Sequence, residues 1–489
     1  MNVFDYFFET SKDLDKDFVL NSKDSISFKQ LHEDSLKMAS YLKATYGEGQ
    51  NIILISPNSV FFITAYLGIL KSGNVCVPLN YATEQSNLDY IVEITESPVT
   101  FITKGLKPRL KFNEDISLLD ETAASEILDS AYNEVIDPNF DGDKVAEIIF
   151  TSGSTGEPKG VMISHNNIIA NTSSIIEYLN LTEKDIMAVV LPFFYCYGLS
   201  LLHTHVRVGG SIALNNSFMF LGTVINDIKN YKCTGFAGVP SHFQILLKKS
   251  QTFKETEFPD LRYVTQAGGK LHAVFIDEFV NAFPEKEFYV MYGQTEATAR
   301  LSYLSPDMVK TKTSSIGKAI PGVSLKVVDA DGNEVGIDSE GELLASGKNV
   351  MLGYYKDSED TAKTIIDGWL HTGDIAKVDE DGFIYLMARK KEIIKVGGKR
   401  VSPKEIEEVI LSMPEIVDCT IEGVEDEILG EALKATIVLN GSMNEAEMKE
   451  AIIQKCGENL AVYKIPQHIV FEKSMKMSAT GKKVKSKQV

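Results

Sequence analysis

The chain has 489 residues, of which 44% are hydrophobic and 24% charged, and a formal net charge of −19. This length exceeds what one hydrophobic core supports, so we expect at least two domains, and the ordinary composition excludes disordered and fibrous proteins. The negative charge argues against nucleic acid as the main partner, because a phosphate backbone requires a basic protein face.

The N-terminus MNVFDYFF lacks the basic and then apolar pattern of a signal peptide. The longest uncharged run, residues 186–202, contains Pro192 and Gly198, and we interpret it as a buried strand and loop instead of a membrane span. These features predict a cytoplasmic protein. The five cysteines are widely separated and lack Cys-x-x-Cys spacing, which indicates neither a disulfide framework nor a zinc site.

Short apolar runs alternate with helical patterns in the first part of the chain. Ser27 followed by Gln30 predicts the N-terminal capping box of a helix. The apolar runs predict strands near residues 51–55, 75–78, 99–102, 186–191, 211–214, 236–239 and 263–266. Strands that alternate with helices are typical of an α/β fold.

Beyond Ile316 the sequence changes to short strands separated by Gly/Asp-rich turns, which predicts a small β subdomain. We expect a boundary near Ala388, with one domain of residues 1–389 and a second, α+β domain of residues 390–489. The second domain has a predicted helix at 403–411 and a predicted strand at 435–439. Its acidic and basic side chains are equal in number, so the excess negative charge belongs to the first domain.

The segment TSGSTGEPKG, residues 151–160, is a candidate phosphate-binding loop. It is not a Walker A loop, because Lys159 precedes its glycine instead of following it. Glycines allow a close approach of the backbone to an anion, and the hydroxyl groups can donate hydrogen bonds to it. Apolar runs on both sides predict a strand, loop and strand that bind a triphosphate; a mobile surface loop is the alternative.

Further motifs carry groups that suit a nucleotide. YGQTE, residues 292–296, offers a ring for a purine, a hydroxyl for phosphate and a carboxylate for magnesium. WLHTGD, residues 369–374, ends in a carboxylate on a predicted turn, which suits the two hydroxyls of a ribose. TGK, residues 480–482, places a lysine on a predicted loop. Each motif alone also fits an ordinary turn or a solvated tail.

Together and in this order, the motifs resemble the adenylate-forming (ANL) superfamily of acyl-CoA synthetases, peptide-synthetase adenylation domains and luciferases. TSGSTGEPKG resembles its phosphate loop, YGQTE its central motif, GELLASGKNVMLGYY and WLHTGD its ribose region, and RKKEIIKVGGKRVSPKEIEE its hinge segment. The resemblance spans residues 20–483. It implies a large N-terminal domain of β-sheets flanked by helices with a distorted β-barrel, and a small mobile α+β C-terminal domain.

The resemblance also implies an AMP-forming acid:thiol ligase that uses ATP, Mg²⁺ and CoA. A carboxylate attacks the α-phosphorus of ATP, which releases pyrophosphate and leaves an acyl-adenylate, and a thiol then displaces AMP. The phosphopantetheine of a separate acyl carrier protein is an alternative acceptor. A catalytically silent AMP or ATP sensor and an oxygenating luciferase-type enzyme are further alternatives.

The positions of the motifs imply roles for individual residues. The implied catalytic residues are Lys482, which would bridge the carboxylate and the α-phosphate, Thr295, Lys395, and Glu296, which would bind Mg²⁺. The implied ATP-binding residues are Thr151, Ser152, Gly153, Ser154, Thr155, Gly156, Lys159, Gly268, Gly269, Tyr292, Asp374 and Arg389. Rotation about a hinge at Lys391 would withdraw Lys482 and bring Lys395, Gly397 and Gly398 to the CoA channel.

The implied acid pocket is aromatic and apolar, which suits an aliphatic or aryl carboxylic acid. Its residues are Phe193, Tyr195, Tyr197, Gly238, Val239 and Gln266. Residues 193–200 contain no acidic side chain to pair with a substrate ammonium, and a buried unpaired cation is costly, so an α-amino acid is disfavoured. The chain departs from the family pattern at Tyr195, where many relatives have histidine, at residues 266–270, and at Lys476 and Met477.

Overall fold

The computed structural model describes residues 1–21, 24–131, 137–151, 158–390, 392–426, 429–441 and 444–476. Its α-helices are α1 (Val3–Phe8), α2 (Phe28–Tyr46), α3 (Val60–Lys71), α4 (Gln85–Thr95), α5 (Glu121–Leu128), α6 (His165–Leu179), α7 (Cys196–Val208), α8 (Leu221–Asn230), α9 (Pro240–Lys249), α10 (Gln251–Glu255), α11 (Ala273–Ala282), α12 (Ser358–Thr364), α13 (Pro403–Leu411) and α14 (Glu445–Asn459).

The strands of the first part of the chain are β1 (Asp17–Val19), β2 (Ile26–Ser27), β3 (Asn51–Ile55), β4 (Val75–Leu79), β5 (Val99–Ile102), β6 (Ser117–Leu119), β7 (Val145–Thr151), β8 (Lys159–Ser164), β9 (Ile186–Val189), β10 (Ser211–Leu214), β11 (Gly235–Gly238), β12 (Tyr263–Gln266) and β13 (Glu287–Tyr292). The remaining strands are β14 (Ser302–Leu304), β15 (Ser315–Ala319), β16 (Val323–Val328), β17 (Gly341–Gly347), β18 (Gly353–Tyr354), β19 (Ile365–Ile366), β20 (Trp369–Val378), β21 (Ile384–Arg389), β22 (Ile394–Val396), β23 (Lys399–Val401), β24 (Ile416–Asp426), β25 (Gly430–Leu439) and β26 (His468–Glu472).

Two large sheets form the first part of the protein. The first has the order β16-β17-β20-β21-β15-β14-β13-β12-β11-β9-β10-β1-β2, with β19 beside β20, and the second has the order β18-β8-β7-β4-β3-β5-β6. Strands β10, β9, β11, β12 and β13 are mutually parallel. The predicted α/β architecture is therefore confirmed.

The antiparallel strands from β14 to β21, except β18, form the Gly/Asp-rich region that the sequence distinguishes. They are hydrogen-bonded onto the parallel sheet through the β13–β14 pair and enclose an apolar core of their own. Leu343, Ala345, Leu370 and Ala376 are buried in this core. A second, larger core lies where helices α1, α2, α3, α6 and α7 pack against the two sheets.

Two local predictions need correction. The run 186–202 is a strand followed by the helix α7, which begins at Cys196, and not a strand and a loop. A Cβ atom at Gly198 would lie 2.0 Å from the Pro192 carbonyl oxygen, so glycine allows this close approach. The Ser27 hydroxyl does cap α2, but Gln30 donates its amide to Asp34 instead of completing the capping box.

No helix in the described part of the chain is long and apolar enough to cross a membrane. All five cysteines are buried, and none of them forms a disulfide bond.

The C-terminal part of the chain forms a smaller sheet of order β23-β22-β25-β24, with β26 beside β25 and helices α13 and α14. Helix α13 contacts the first part through its acidic residues. Glu408 accepts hydrogen bonds from Lys270 Nζ at 2.8 Å and from Ser314 Oγ at 3.3 Å, and Glu407 lies 3.7 Å from His272. The two parts of the protein are therefore joined by polar contacts as well as by apolar packing.

A buried polar cluster lies beneath strand β7, which leads to residue 151. The Tyr66 hydroxyl lies 2.9 Å from Glu147 Oε2 and 2.7 Å from His203 Nε2. Burial raises the pKa of Glu147 from 4.5 to about 7, although the hydrogen bond from Tyr66 opposes the shift. Burial also lowers the pKa of His203 to about 3, so the imidazole is neutral and supplies no positive charge.

The stability of the fold should depend on pH through Glu147. Its pKa is higher in the folded state, so the protonated carboxyl contributes fully below pH 4.5, and that contribution is lost as the pH rises through about 7. Between pH 4.5 and pH 8 we expect wild type to lose ~3 kcal/mol relative to Glu147→Gln. The Tm of both proteins, measured at several pH values across this range, gives the difference. The same dependence of Tm on pH in both proteins would contradict the prediction.

Candidate active site

Parallel strands β9, β11, β12 and β13 end at one edge of the first sheet. Gly238 is in register with Gln266, and Gln266 with Val290, so the segments that follow these strands lie side by side. Ligands of open parallel sheets bind at the carboxyl ends of the strands. The structure thus brings three predicted acid-pocket residues, Gly238, Val239 and Gln266, next to the YGQTE motif.

Asp374 links Tyr292 and Arg389 at this edge through a hydrogen bond and an ion pair. Tyr292 donates its hydroxyl to Asp374 Oδ2 at 2.6 Å, and Arg389 Nε lies 3.2 Å from Asp374 Oδ1. Asp374 lies within strand β20, opposite Arg389 on β21, so its predicted place on a turn is wrong. Burial raises the pKa of Asp374, and the Arg389 charge and the Tyr292 hydrogen bond oppose that shift.

Glu296 and Lys159 are linked through Tyr354. The Tyr354 hydroxyl donates to Glu296 Oε1 at 2.9 Å, and Lys159 Nζ lies 5.3 Å from the centre of the Tyr354 ring. Strand β18, which carries Tyr354, pairs with β8, which begins at Lys159. Lys159 also forms ion pairs with Asp357 and Asp360. A phosphate bound by Lys159 would therefore compete with these two carboxylates.

Thr295 lies beside the N-terminus of α7, since its hydroxyl is 3.6 Å from the Cys196 thiol. The amino end of a helix carries a partial positive charge and free amide donors, which favour an anion. This geometry suits a carboxylate or phosphate near Thr295.

The aromatic residues of the predicted acid pocket differ in their placement. Phe193 is fully buried, with its ring centre 5.7 Å from that of Phe62. Tyr195 is the N-cap residue of α7. Tyr197 donates its hydroxyl toward Thr265, whose carbonyl oxygen is 3.0 Å away.

Residues 266–270 form a tight turn that connects the pocket with the C-terminal part. Gln266 Nε2 donates to the Gly269 carbonyl at 2.7 Å, and Gly268 has a φ of 85°, which a side chain would strain. Lys270 then reaches Glu408 on α13. The predicted adenine wall is thereby tied to the predicted hinge segment.

Gly397 and Gly398 form the two-residue turn between β22 and β23. Their φ values are 55° and 79°, as a tight hairpin of this kind requires. Lys395 donates its backbone amide to Glu431 at 2.7 Å, and its side chain is exposed. The predicted CoA-channel residues are therefore adjacent on one hairpin.

Several predicted site residues lie outside the described part of the chain: Ser152, Gly153, Ser154, Thr155, Gly156, Lys391, Met477 and Lys482. The residues that flank the loop are described. Thr151 at the end of β7 is in register with Lys159 at the start of β8, and these two strands are antiparallel. The predicted strands on both sides of the loop are confirmed.

Sequence reasoning missed Tyr354 and Arg300. Tyr354 lies in the GELLASGKNVMLGYY motif, but no spacing pattern indicates a contact with a residue as distant in sequence as Glu296. The Arg300 guanidinium lies 4.0 Å from the centre of the ring of Tyr197, which is a predicted residue of the acid pocket. A charged residue soon after YGQTE is visible in the sequence, whereas its burial is not.

No group of three or more His, Cys, Asp or Glu side chains that could hold a metal ion occurs within the described residues. Magnesium at nucleotide sites needs only one or two carboxylates, because phosphates and water supply the other ligands. Glu296 fits such a role, because Tyr354 contacts both this carboxylate and Lys159.

Known proteins resemble this chain along most of its length. The AMP-binding enzyme family matches residues 8–355, and the AMP-binding enzyme C-terminal domain matches residues 405–482. The oxalate–CoA ligase of Arabidopsis thaliana is 30% identical over 486 residues, covering 95% of this chain and 93% of that protein. The long-chain-fatty-acid–CoA ligase of Salmonella typhimurium is 28% identical over 517 residues, covering 96% and 90%.

A solved structure of an anthranilate CoA ligase in complex with anthranoyl-AMP superposes with a TM-score of 0.89 at 23% identity, covering 99% of this chain and 95% of that one. The shared fold confirms the large sheet-rich N-terminal part and the small C-terminal part. The chain therefore belongs to the AMP-binding enzyme family of the adenylate-forming superfamily, and it is an AMP-forming acid–CoA ligase that activates a carboxylic acid and forms a thioester with CoA.

Proposed function

We propose that the protein joins an aliphatic or aryl carboxylic acid, and not an α-amino acid, to CoA through an acyl-adenylate. The observation that supports this most directly is the cluster at the sheet edge, where Tyr292, Asp374 and Arg389 lie near the YGQTE segment. CoA is favoured over a carrier protein as acceptor because the relatives above are named as CoA ligases.

In this proposal Asp374 accepts hydrogen bonds from the ribose hydroxyls, and Arg389 and Tyr292 hold its carboxylate in place. A carboxylate in a buried site forms strong hydrogen bonds when it is ionised, and the Arg389 charge favours that form. The Tyr292 ring and the turn at Gly268 and Gly269 flank the adenine.

The triphosphate lies between the 151–156 loop, Lys159 and Glu296. Glu296 would hold Mg²⁺, which would offset part of the negative charge on the two reacting groups. Thr295 contacts the α-phosphate, where the N-terminus of α7 adds a partial positive charge. Lys482 contributes a further cation at the reacting oxygens.

The second half of the reaction uses a different position of the C-terminal part, residues 390–489. Rotation about Lys391 withdraws Lys482 and brings the Gly397–Gly398 hairpin and Lys395 to the channel for the CoA thiol. The polar contacts of Glu408 with Lys270 and Ser314 support a movable interface, because such partly exposed pairs are individually weak.

The walls of the acid pocket support the exclusion of α-amino acids. Residues 193–200 carry no acidic side chain, and Arg300 lies against Tyr197. An ammonium group would be desolvated without a partner and would also be repelled by the guanidinium.

Release of pyrophosphate over a panel of carboxylic and amino acids, with and without CoA, tests this function. We expect pyrophosphate only when a suitable carboxylic acid is present, and an acyl-CoA product when CoA is added. Mass spectrometry of the CoA pool identifies the thioester. Absence of pyrophosphate with every acid, or equal turnover with α-amino acids, would contradict the proposal.

A further inference from the structure

Arg300 is a buried arginine with weak partners. Its side chain is 2% exposed and lies against the face of Tyr197, 4.0 Å from the ring centre. Nε donates to the Met291 sulfur at 3.4 Å, and Nη1 to the carbonyl oxygen of the preceding residue at 3.3 Å. The guanidinium also donates to the Tyr178 hydroxyl. A thioether, a carbonyl and a phenol are all uncharged, so these contacts leave the Arg300 guanidinium without a counter-charge.

The other arginines of this chain have clear partners or face solvent. Arg207 pairs with Glu9, Arg262 with Asp185 and Glu287, and Arg389 with Asp374. The side chains of Arg109 and Arg400 are exposed.

Among the residues that the structure describes, no Asp or Glu forms an ion pair with Arg300. Burial raises the pKa of Tyr197 to about 12, although the Arg300 charge opposes that shift, so this phenol is neutral and supplies no negative charge. A buried guanidinium without an anion costs several kcal/mol.

The position of Arg300 relates it to the reacting end of the acid. Cys196 and Tyr197 are neighbours in the first turn of α7; Cys196 contacts Thr295, and Tyr197 contacts Arg300. Thr295 is the residue proposed to meet the α-phosphate, where the substrate carboxylate must attack. Arg300 is therefore connected to the proposed reacting position through the first turn of α7, on the side of Tyr197 and Thr265.

We propose that Arg300 is a specificity-determining residue that binds a second negatively charged group of the acid, so the substrate is a dicarboxylate. This assignment rests on the proposed acid:CoA ligase function and narrows its substrate class. One carboxylate is adenylated near Thr295, and the other forms a bidentate pair with the guanidinium and supplies the missing counter-charge.

The test compares matched pairs of acids that differ only in a second carboxylate, such as butyrate with succinate and benzoate with phthalate. For wild type we expect kcat/KM for pyrophosphate release to be about 10²-fold higher with the better dicarboxylate than with its matched monocarboxylate, because a site built for a charged group rejects an analogue that lacks it. In Arg300→Met this preference should fall to within a few-fold, mostly through KM.

Arg207→Met is a matched control. Arg207 also lies over a tyrosine ring, 4.2 Å from the centre of Tyr6, but it is on the last turn of α7 and is paired with Glu9. We expect it to leave the preference for dicarboxylates unchanged. Arg300→Lys keeps the positive charge but lacks the planar guanidinium that can pair with both oxygens of a carboxylate, so it should retain part of the preference for dicarboxylates.

Thermal unfolding separates recognition from a structural role. A dicarboxylate should raise the Tm of wild type more than the matched monocarboxylate does, and this difference should vanish in Arg300→Met. Turnover of monocarboxylates alone by wild type, or equal losses with all acids in Arg300→Met and Arg300→Lys, would overturn the assignment while leaving the ligase function intact. Failure of every acid to release pyrophosphate would overturn the ligase proposal itself.

Discussion

Replacing Asp374 with alanine is expected to lower kcat/KM for ATP by about 10³-fold. The substitution removes two hydrogen bonds from a carboxylate to the ribose, each worth about 1.5–3 kcal/mol, and leaves Tyr292 and Arg389 without their shared acceptor. Since burial raises the pKa of Asp374, its removal also relieves a desolvation cost, so the fold should tolerate the change. Steady-state kinetics and calorimetric titration with AMP measure the effect.

Two variants make this result specific. Asp374→Asn keeps one acceptor and should retain intermediate affinity for AMP. Asp338→Ala removes a surface ion pair with Lys377 on the same strand, β20, and should leave the affinity unchanged. An unchanged Kd for AMP in Asp374→Ala would remove this residue from the nucleotide site.

Replacing Lys482 with alanine should slow formation of the acyl-adenylate by 10²- to 10⁴-fold. The first step brings a carboxylate against a phosphate, and a cation placed between them stabilises the transition state more than either reactant. Lys482 lies outside the described residues, so this expectation rests on the TGK motif. Single-turnover release of pyrophosphate measures the first step.

The second step separates this role from a general loss of folding. When the acyl-adenylate is supplied, Lys482→Ala should form the thioester within a few-fold of the wild-type rate, because the proposed rotation withdraws the lysine at that stage. The neighbouring Lys483→Ala serves as a control and should affect neither step. Equal loss of both steps in Lys482→Ala would contradict the two-position domain.

Several strands of the first part of the chain follow from local sequence, because each of these is a short apolar run bounded by turn residues. The predictions at residues 51–55, 99–102, 211–214 and 263–266 agree with β3, β5, β10 and β12. Helix α7 was harder to predict, since an apolar run with a proline near its start has no clear period. The sequence does not predict Asp374 inside β20, because a glycine followed by an aspartate is typical of a turn. In the structure Gly373 does have a φ of 72°, but the strand continues through it.

Some residues of the candidate site can likewise be predicted from the sequence, and others cannot. The motifs predict Asp374, Arg389 and Tyr292 as site residues, and in the structure Asp374 contacts both of the other two. Tyr354 and Glu147 depend on contacts between residues far apart in sequence, which no local pattern encodes. Arg300 was visible only as a charge, and its significance depends on burial and on the absence of a described acidic partner.

The ion pair between Lys270 and Glu408 joins the C-terminal part to the first part of the protein. Lys270 belongs to the same turn as Gln266 and Gly269, so this ion pair starts from the turn that is proposed to form a wall of the nucleotide site. A partly exposed ion pair of this kind contributes about 1 kcal/mol or less of stabilising free energy, so thermal motion breaks it readily. In the proposed mechanism, occupancy of this wall would therefore affect the rotating C-terminal domain through a direct contact, and dissolved salt, which screens such ion pairs, would weaken that contact.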